Sequence, residues 1–232
     1  PLEKRKPLIA EGPIQLQTHG GEIRWRNIYI KELLSSCCEV DDETGYVSIF
    51  NGENFDGWKG PIANYEVKDG AIRCLKGKGG TIFTDRTFKD FSVKLEFKLP
   101  TGGNNGLAIR YPGKGNAAYH GMCELQVLDN THPRYAKLDP RQFHGSAYGI
   151  SPAKTGHLKK VGEWNDQEVI VRGTMITVFL NDEIILDADL SKVTKFMANK
   201  SHPGLTLKEG HFGFAGHNDP VSFRNIRIKD LH

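Results

Sequence analysis

Regular alternation of apolar and polar residues is the clearest pattern along the chain. In the segment FSVKLEFKL at 91–99, every second residue is apolar, and the residues between them are serine, lysine and glutamate. Side chains of a β-strand point alternately to opposite faces, so this segment predicts a strand with one buried and one solvated face.

Shorter segments of the same kind recur along the chain, separated by Gly, Asn, Asp and Pro. They predict strands at 46–50, 65–68, 71–75, 106–111, 122–128, 168–172, 175–180, 183–187 and 211–215, with one weak helical candidate near 190–196. Each one-sided strand must bury its apolar face against another layer. We therefore predict an all-β sandwich of two antiparallel sheets, with a closed barrel as the alternative.

The alternation slips by one position near the end of the chain. Val221 and Phe223 alternate correctly, but Ile226 and Ile228 resume one residue out of step. A β-bulge at 224–225 would return the isoleucines to the inward face.

The two ends of the chain resemble each other. Residues 11–33 align without a gap on residues 209–231, and His19 coincides with His217. We predict that residues 1–34 are the tail of an upstream copy in a tandem array or, alternatively, an N-terminal hairpin arm, and that residues 45–232 form the domain. Two strands within residues 13–31 would then add to a sheet edge of this domain or of a neighbouring molecule, in a homo-oligomer or tandem-copy contact.

Length and composition narrow the function. The 232 residues fit one large β-sandwich, and 31 Lys and Arg against 28 Asp and Glu argue against a nucleic-acid partner. No segment approaches the roughly 18 apolar residues of a membrane span. The cysteines lack zinc-site spacing, so we expect buried thiols or an occasional disulfide, and no metal site is predicted from Cys37, Cys38, Cys74 and Cys123.

The best candidate chemistry lies in and before the strand at 122–128. Strand parity turns Cys123, Leu125 and Val127 inward and puts His120, Met122, Glu124 and Gln126 on the opposite face. The preceding strand sends Arg110 outward, where a guanidinium could hold a sugar oxygen.

Asp129 lies an odd number of positions from Glu124 and reaches the same face only through a bulge. The spacing Glu124, Gln126, Asp129 resembles the Glu-x-Asp-x-x-Glu strand of concanavalin-like β-glucanases, with Gln at the middle place and Asp at the last. Alternatively, both carboxylates only solvate an outer face.

Several short motifs follow one another along the chain: NGENFDGW at 51–58, GNNGLAIR at 103–110, ELQVLD at 124–129, GSAYG at 145–149, GEWN at 162–165, GH at 216–217 and FRNI at 223–226. In this order they resemble the motifs of the 3-keto-disaccharide hydrolase family. The upstream THG at 18–20 and WRNI at 25–28 resemble the tail of another copy. The resemblance implies a concanavalin A-like jelly-roll sandwich and a bacterial protein that acts in the periplasm or after secretion.

The resemblance also implies hydrolysis of glycosides that carry a ketone at C3, without a cofactor. The ketone acidifies the C2 proton, so a base can remove it and expel the C1 oxygen, after which water adds. Glu124 or Asp129 is the candidate base, Arg110 the polariser, and His120 or His217 the proton carrier. Gln126, Asn105, Tyr148 and Trp164 are further candidates for substrate binding. The alternative function is a noncatalytic carbohydrate-binding module of the same fold.

Overall fold

The computed structural model of the chain describes residues 40–41 and 45–231. The predictions for residues 1–34, for Cys37 and for Cys38 lie outside the described residues. Among the described residues, no helix is long and apolar enough to cross a membrane.

The described strands form two antiparallel sheets, as the alternation predicts. The larger sheet contains β1 (Val40–Asp41), β2 (Tyr46–Ser48), β4 (Tyr65–Lys68), β5 (Ala71–Cys74), β7 (Phe91–Lys98), β10 (Trp164–Arg172), β11 (Met175–Leu180), β12 (Glu183–Asp189) and β14 (Ser222–Asp230). The smaller sheet contains β3 (Trp58–Lys59), β6 (Gly79–Phe88), β8 (Asn104–Tyr111), β9 (Cys123–Leu128) and β13 (Gly210–His217).

The spatial order is β1-β2-β14-β7-β10-β11-β12 in the larger sheet, with β5 beside β14 and β4 beside β5, and β3-β6-β13-β8-β9 in the smaller one. One short α-helix, α1 (Ala117–His120), precedes β9. Turns of 3₁₀-helix span Ile62–Asn64, Pro133–Tyr135, Pro140–Gln142, Leu190–Lys192, Met197–Asn199 and Pro203–Thr206. The two-sheet sandwich is therefore confirmed.

The apolar core lies between the sheets. All the apolar residues of the segment 91–99 are buried, and they pack in one cluster with Leu107 of β8, Leu125 of β9 and Phe214 of β13. Full burial of a side chain of this size contributes roughly 1.5–3 kcal/mol. The polar residues of the smaller sheet are thereby turned to its other side, which we call the outer face.

The predicted bulge in β14 is present. The pairing of β14 with β7 changes register between Arg224 and Arg227, and Asn225 has a φ of 51°. Phe223 and Ile226 are both buried, so the extra residue restores the inward face.

Two local predictions fail. The strand Gly79–Phe88 was not predicted, because Thr84 occupies one of its inward positions and is buried with its hydroxyl bonded to the carbonyls of Arg86 and Phe212. The helical candidate near 190–196 is wrong, since helical structure there is confined to the 3₁₀ turn Leu190–Lys192.

Candidate active site

A cavity of about 400 Å³ opens on the outer face of the smaller sheet. Its floor comes from β8 and β9, and its walls come from α1 and from the loops that follow β9 and β12. It is lined by Asn104, Asn116, Ala118, Tyr119, Glu124, Gln126, Leu128, Tyr135, Leu138, Gln142, Tyr148, Lys200 and His217.

Glu124 and His217 meet at this cavity. Glu124 Oε1 lies 3.1 Å from His217 Nε2, which joins β9 to the end of β13. The Glu124 side chain is 4% exposed and that of His217 is 42% exposed. The hydrogen bond to Glu124 raises the pKa of His217 and outweighs burial, which lowers it. The cavity therefore holds a carboxylate in contact with an imidazole that readily carries a proton.

Gly106 of β8 makes room for the carboxylate. A Cβ atom at this position would lie 2.1 Å from Glu124 Oε1 and 2.4 Å from its Cγ. Any side chain here would displace Glu124, so the GNNG motif at 103–106 has a direct role in shaping the floor of the cavity.

Neutral polar groups surround the pair. Gln126 Nε2 donates to Asn104 Oδ1 at 2.6 Å, and Gln142 Nε2 donates to the Tyr148 hydroxyl at 3.0 Å. Because the phenol oxygen accepts this bond, its own proton can point into the cavity. A few fixed donors and acceptors of this kind suit the hydroxyl groups of a sugar. The sequence indicated Gln126 and Tyr148 but not Asn104 or Gln142.

The short helix α1 brings Tyr119 to the wall of the cavity. The Asn116 side chain accepts a hydrogen bond from the Ala118 amide and fixes the start of the helix. Lys200 places its Nζ 3.8 Å from the centroid of the Tyr119 ring. Both residues lie outside the strands, where no alternation marks them, and the sequence analysis missed them.

Arg110 does not lie with Glu124, so its expected place is wrong. On β13, His211 pairs with Tyr111 but Gly213 pairs with Ala108, so β8 bulges at 109–110, and Arg110 has a φ of 45°. The bulge breaks the strand parity used in the prediction. The guanidinium is buried and donates to the carbonyls of Lys89, Gly173 and Leu207 and to the carboxylate of Asp90. It therefore ties together chain segments at the end of the sandwich.

Asp129 is also turned away from the cavity. Its Oδ2 accepts from the Gly102 amide at 2.8 Å, and its Oδ1 accepts from the Thr131 amide at 3.0 Å and hydroxyl at 2.6 Å. The pKa of Asp129 is lowered because these hydrogen bonds outweigh burial, which raises it. Asp129 fixes the turn after β9, and the expectation that it shares a face with Glu124 is wrong.

His120 and Asn105 lie outside the cavity lining as well. His120 ends α1, and its Nδ1 accepts a hydrogen bond from the Asn116 amide at 3.0 Å. The strand begins only at Cys123, so the alternation of its faces does not extend back to His120. Met122, expected on the polar face, is buried in the core for the same reason. Asn105 is fully buried, and its Oδ1 accepts from the Gly106 amide at 2.8 Å.

Trp164 belongs to the other sheet. Lys98 Nζ lies 4.7 Å and Arg224 Cζ lies 4.1 Å from its ring centroid. Trp164 is therefore not among the residues that line the Glu124 cavity, and its contact with a substrate stays a prediction.

A larger cavity of about 840 Å³ is lined by Arg110, Asp90 and Leu207, among others. The charged groups of Arg110 and Asp90 are bonded to each other there. Within residues 40–41 and 45–231, no group of three or more His, Cys, Asp or Glu is placed to hold a metal ion. The Glu124 cavity is thus the better candidate for chemistry.

The chain is similar to known proteins in sequence and in fold. A sequence model of the 3-keto-alpha-glucoside-1,2-lyase-like domain matches residues 45–229. A "3-keto-disaccharide hydrolase" of Bacteroides thetaiotaomicron is 32% identical over 231 residues, which covers 82% of this chain and 80% of that protein.

Solved structures show the same relationship. A "putative glycosyl hydrolase" from Parabacteroides distasonis superimposes with a TM-score of 0.72 at 25% identity, over 80% of this chain and 99% of the other. The carbohydrate-binding module CBM66 of Bacillus subtilis, at 16% identity and a TM-score of 0.52 over 75% of this chain and 96% of the other, shares the fold alone. The relatives support a hydrolase that acts on carbohydrate, and the chain belongs to the family of 3-keto-alpha-glucoside-1,2-lyase-like domains.

Proposed function

We propose that the protein cleaves glycosides that carry a ketone at C3, by elimination followed by addition of water. Its family and its relative from Bacteroides thetaiotaomicron support the substrate class. The observation that carries the proposal is the Glu124–His217 pair in a cavity lined by neutral polar groups.

The number of carboxylates favours elimination over ordinary glycoside hydrolysis. Retaining and inverting glycosidases both need two carboxyl groups, about 5–9.5 Å apart across the scissile bond. Of the described residues that line the cavity, Glu124 alone carries a carboxylate. Elimination needs only one base, because the C3 ketone already makes the C2 proton acidic.

The proposed reaction has two stages, elimination and then hydration. Glu124 takes the C2 proton, and the electron pair of the C–H bond forms an enolate with the C3 carbonyl. The enolate re-forms the ketone, a C1–C2 double bond appears, and the C1–O bond breaks. His217, hydrogen-bonded to Glu124, supplies a proton to the departing oxygen. Water adds across the double bond and releases the 3-keto sugar.

The test is the variant Glu124→Gln. Glutamine keeps the size and hydrogen-bonding reach of the side chain but cannot take the C2 proton, so substrate binding should persist while kcat falls by about 10²–10⁴-fold. Turnover of a 3-keto-glucoside and binding of the same compound should be measured side by side. Asp129→Asn is the matched comparison, because Asp129 is bonded in a turn outside the cavity.

Isotope exchange gives an independent check of the mechanism. Reversible removal of the C2 proton in deuterium oxide should carry deuterium into the 3-keto substrate or product. Cleavage of an unoxidised glucoside without label at C2 would contradict the proposal, as would a larger loss of kcat in Asp129→Asn than in Glu124→Gln. Action in the periplasm or after secretion stays a prediction from the resemblance.

A further inference from the structure

Elimination through an enolate places negative charge on the C3 oxygen, and this charge needs a positive partner in the cavity. Arg110 was expected to supply it, but its guanidinium is bonded elsewhere. Lys200 lines the same cavity as Glu124 and His217. Apart from His217, it is the one basic side chain among the described residues of the lining.

The Lys200 ammonium is exposed and has no carboxylate within 4.0 Å among the described residues, since it takes part in none of their ion pairs. Its described contact is the face of Tyr119, 3.8 Å from the ring centroid. The face of an aromatic ring attracts an ammonium group, and the N–H groups that point away from the ring can donate to an oxygen anion. Lys200 differs in this respect from lysines that pair with a carboxylate, such as Lys192 with Asp189.

The segment that carries Lys200 is anchored on both sides. Before it, the Met197 amide donates to the Gly149 carbonyl at 2.8 Å. After it, His202 Nδ1 lies 2.8 Å from the Ala118 carbonyl oxygen. The His202 ring also packs against the Tyr119 ring, with centroids 4.9 Å apart. The same helix therefore contacts both Tyr119 and the segment that carries Lys200, which holds the backbone of Lys200 beside the cavity.

Tyr148 lies in the same cavity as Glu124 and Lys200. Burial raises the pKa of this phenol, and the hydrogen bond from Gln142 lowers it. Glu124 and Lys200 both line this cavity of about 400 Å³, so a carboxylate and an ammonium share one space.

We propose that Lys200 Nζ binds the C3 ketone oxygen and stabilises the enolate that forms when Glu124 removes the C2 proton. This inference rests on the proposed function. Lys200 keeps all its protons throughout: the electron pair moves from the C2–H bond to the C3 oxygen and then into the C1–C2 double bond as the C1–O bond breaks. The lysine also distinguishes a ketone at C3 from a hydroxyl group, because only the ketone develops a full negative charge.

The test compares Lys200→Met with Lys200→Arg. Loss of one group that stabilises an oxyanion typically lowers kcat by about 10²–10³-fold, and we expect this loss in Lys200→Met. Lys200→Arg keeps the positive charge and should retain most of the activity. Both variants should keep the melting temperature of the parent protein, because the side chain is exposed. Lys192→Met, at a lysine that is 81% exposed and paired with Asp189, is the matched control.

Turnover kinetics, deuterium exchange at C2 and borohydride trapping decide the outcome. Loss of kcat together with an equal loss of deuterium exchange at C2 supports the enolate role, since both require the same intermediate. A Lys200→Met variant that keeps kcat within about threefold, or that changes only KM, overturns the inference while parental turnover still supports the proposed function. If Lys200→Arg is as inactive as Lys200→Met, or borohydride traps a covalent adduct at Lys200, ion pairing is the wrong role.

The parent protein tests the proposed function itself. If it neither exchanges the C2 proton nor cleaves the 3-keto substrate, the proposed function is overturned, and the inference with it.

Discussion

His144 shows how strongly burial acts on a single residue in this fold. Its imidazole is buried and stacks on Phe97 of β7, with ring centroids 4.9 Å apart. Burial lowers the pKa of His144 to about 3 and outweighs the neighbouring Gln167, which raises it. The side chain is therefore neutral in the folded protein at any pH above this value.

Linkage turns this shift into a prediction about stability. The unfolded chain binds a proton at His144 near pH 6.5 and the folded chain does not, so the unfolded state gains protons first and stability falls as the pH drops below about 6.5. Between pH 7 and pH 5, His144 alone should lower the free energy of unfolding by about 2 kcal/mol. Denaturant titrations of the parent and of His144→Leu should differ in pH dependence by that amount.

His217 gives the opposite sign and serves as the internal comparison. Its pKa is raised by Glu124, so its contribution to stability is full below the unfolded pKa and disappears as the pH rises through the folded pKa. His217→Gln should therefore remove stability that the parent gains as the pH falls from the folded pKa of His217 to its unfolded pKa near 6.5, and should leave the slope below that pH unchanged. His144→Leu should instead make the slope below about pH 6.5 shallower. Equal pH slopes in the parent and in His144→Leu would contradict the prediction.

Among the elements, β14 offers the sharpest test because its bulge could be located from the sequence. Asn225 adopts a φ of 51°, in the left-handed region that only Gly and, less often, Asn and Asp occupy readily. Asn225→Val should destabilise the protein by about 1–2 kcal/mol, since a β-branched side chain is strained in that conformation. Chemical denaturation of this variant measures the loss.

Asn225→Gly is the control for this element. Glycine adopts the same φ without strain but loses the contact of Asn225 Nδ2 with Glu96. The glycine variant should therefore be more stable than the valine variant. Both variants lose the side-chain contact, so equal losses of stability would show that this contact, and not the backbone, held the bulge.

The elements differ in how far their sequence predicts them. β7 and β14 follow from apolar residues at every second position, because one buried face dictates the pattern. β6 escapes prediction because the inward Thr84 satisfies its hydroxyl by bonding to backbone carbonyls. The bulge at Arg110 escapes it for a related reason: the sequence shows the residues but not the register of the partner strand.

The same limit applies to the candidate site. Strand parity correctly groups Glu124 with Gln126, and the motif pattern adds His217 and Tyr148. The walls come from α1 and from irregular segments, which bring Tyr119, Gln142 and Lys200 together through tertiary packing. No periodicity records such contacts, so these residues emerge only once the chain is folded.

At the scale of the whole molecule, the sandwich explains where chemistry can occur but not which chemistry. The core uses the inner faces of both sheets, which leaves the outer face of the smaller sheet free for polar groups. Because such a face can bind or cleave a sugar, its function depends on a few side chains. Under the proposed function, Glu124 and His217 are the residues that would distinguish a catalytic face from a binding face.

The remaining prediction concerns residues 1–34, which lie outside the described residues. Their segment 11–33 resembles the segment 209–231, which contains β13 and β14 of this domain. Two strands are predicted within residues 13–31, and their apolar faces would need to be covered, either by a sheet edge of this domain or by a neighbouring molecule. Deleting residues 1–34 should therefore lower the melting temperature or change the oligomeric state.

Thermal unfolding and light scattering after gel filtration measure the two effects separately. Trp25→Asp in the full chain is the matched variant, because it disrupts one apolar face without shortening the chain. It should reproduce the deletion if the tail docks through that face. If neither the deletion nor Trp25→Asp changes the melting temperature or the molecular mass, the segment makes no contact that contributes to stability. The tandem-copy interpretation would then be favoured over a hairpin arm of this domain, since an upstream tail has its own partners in the preceding copy.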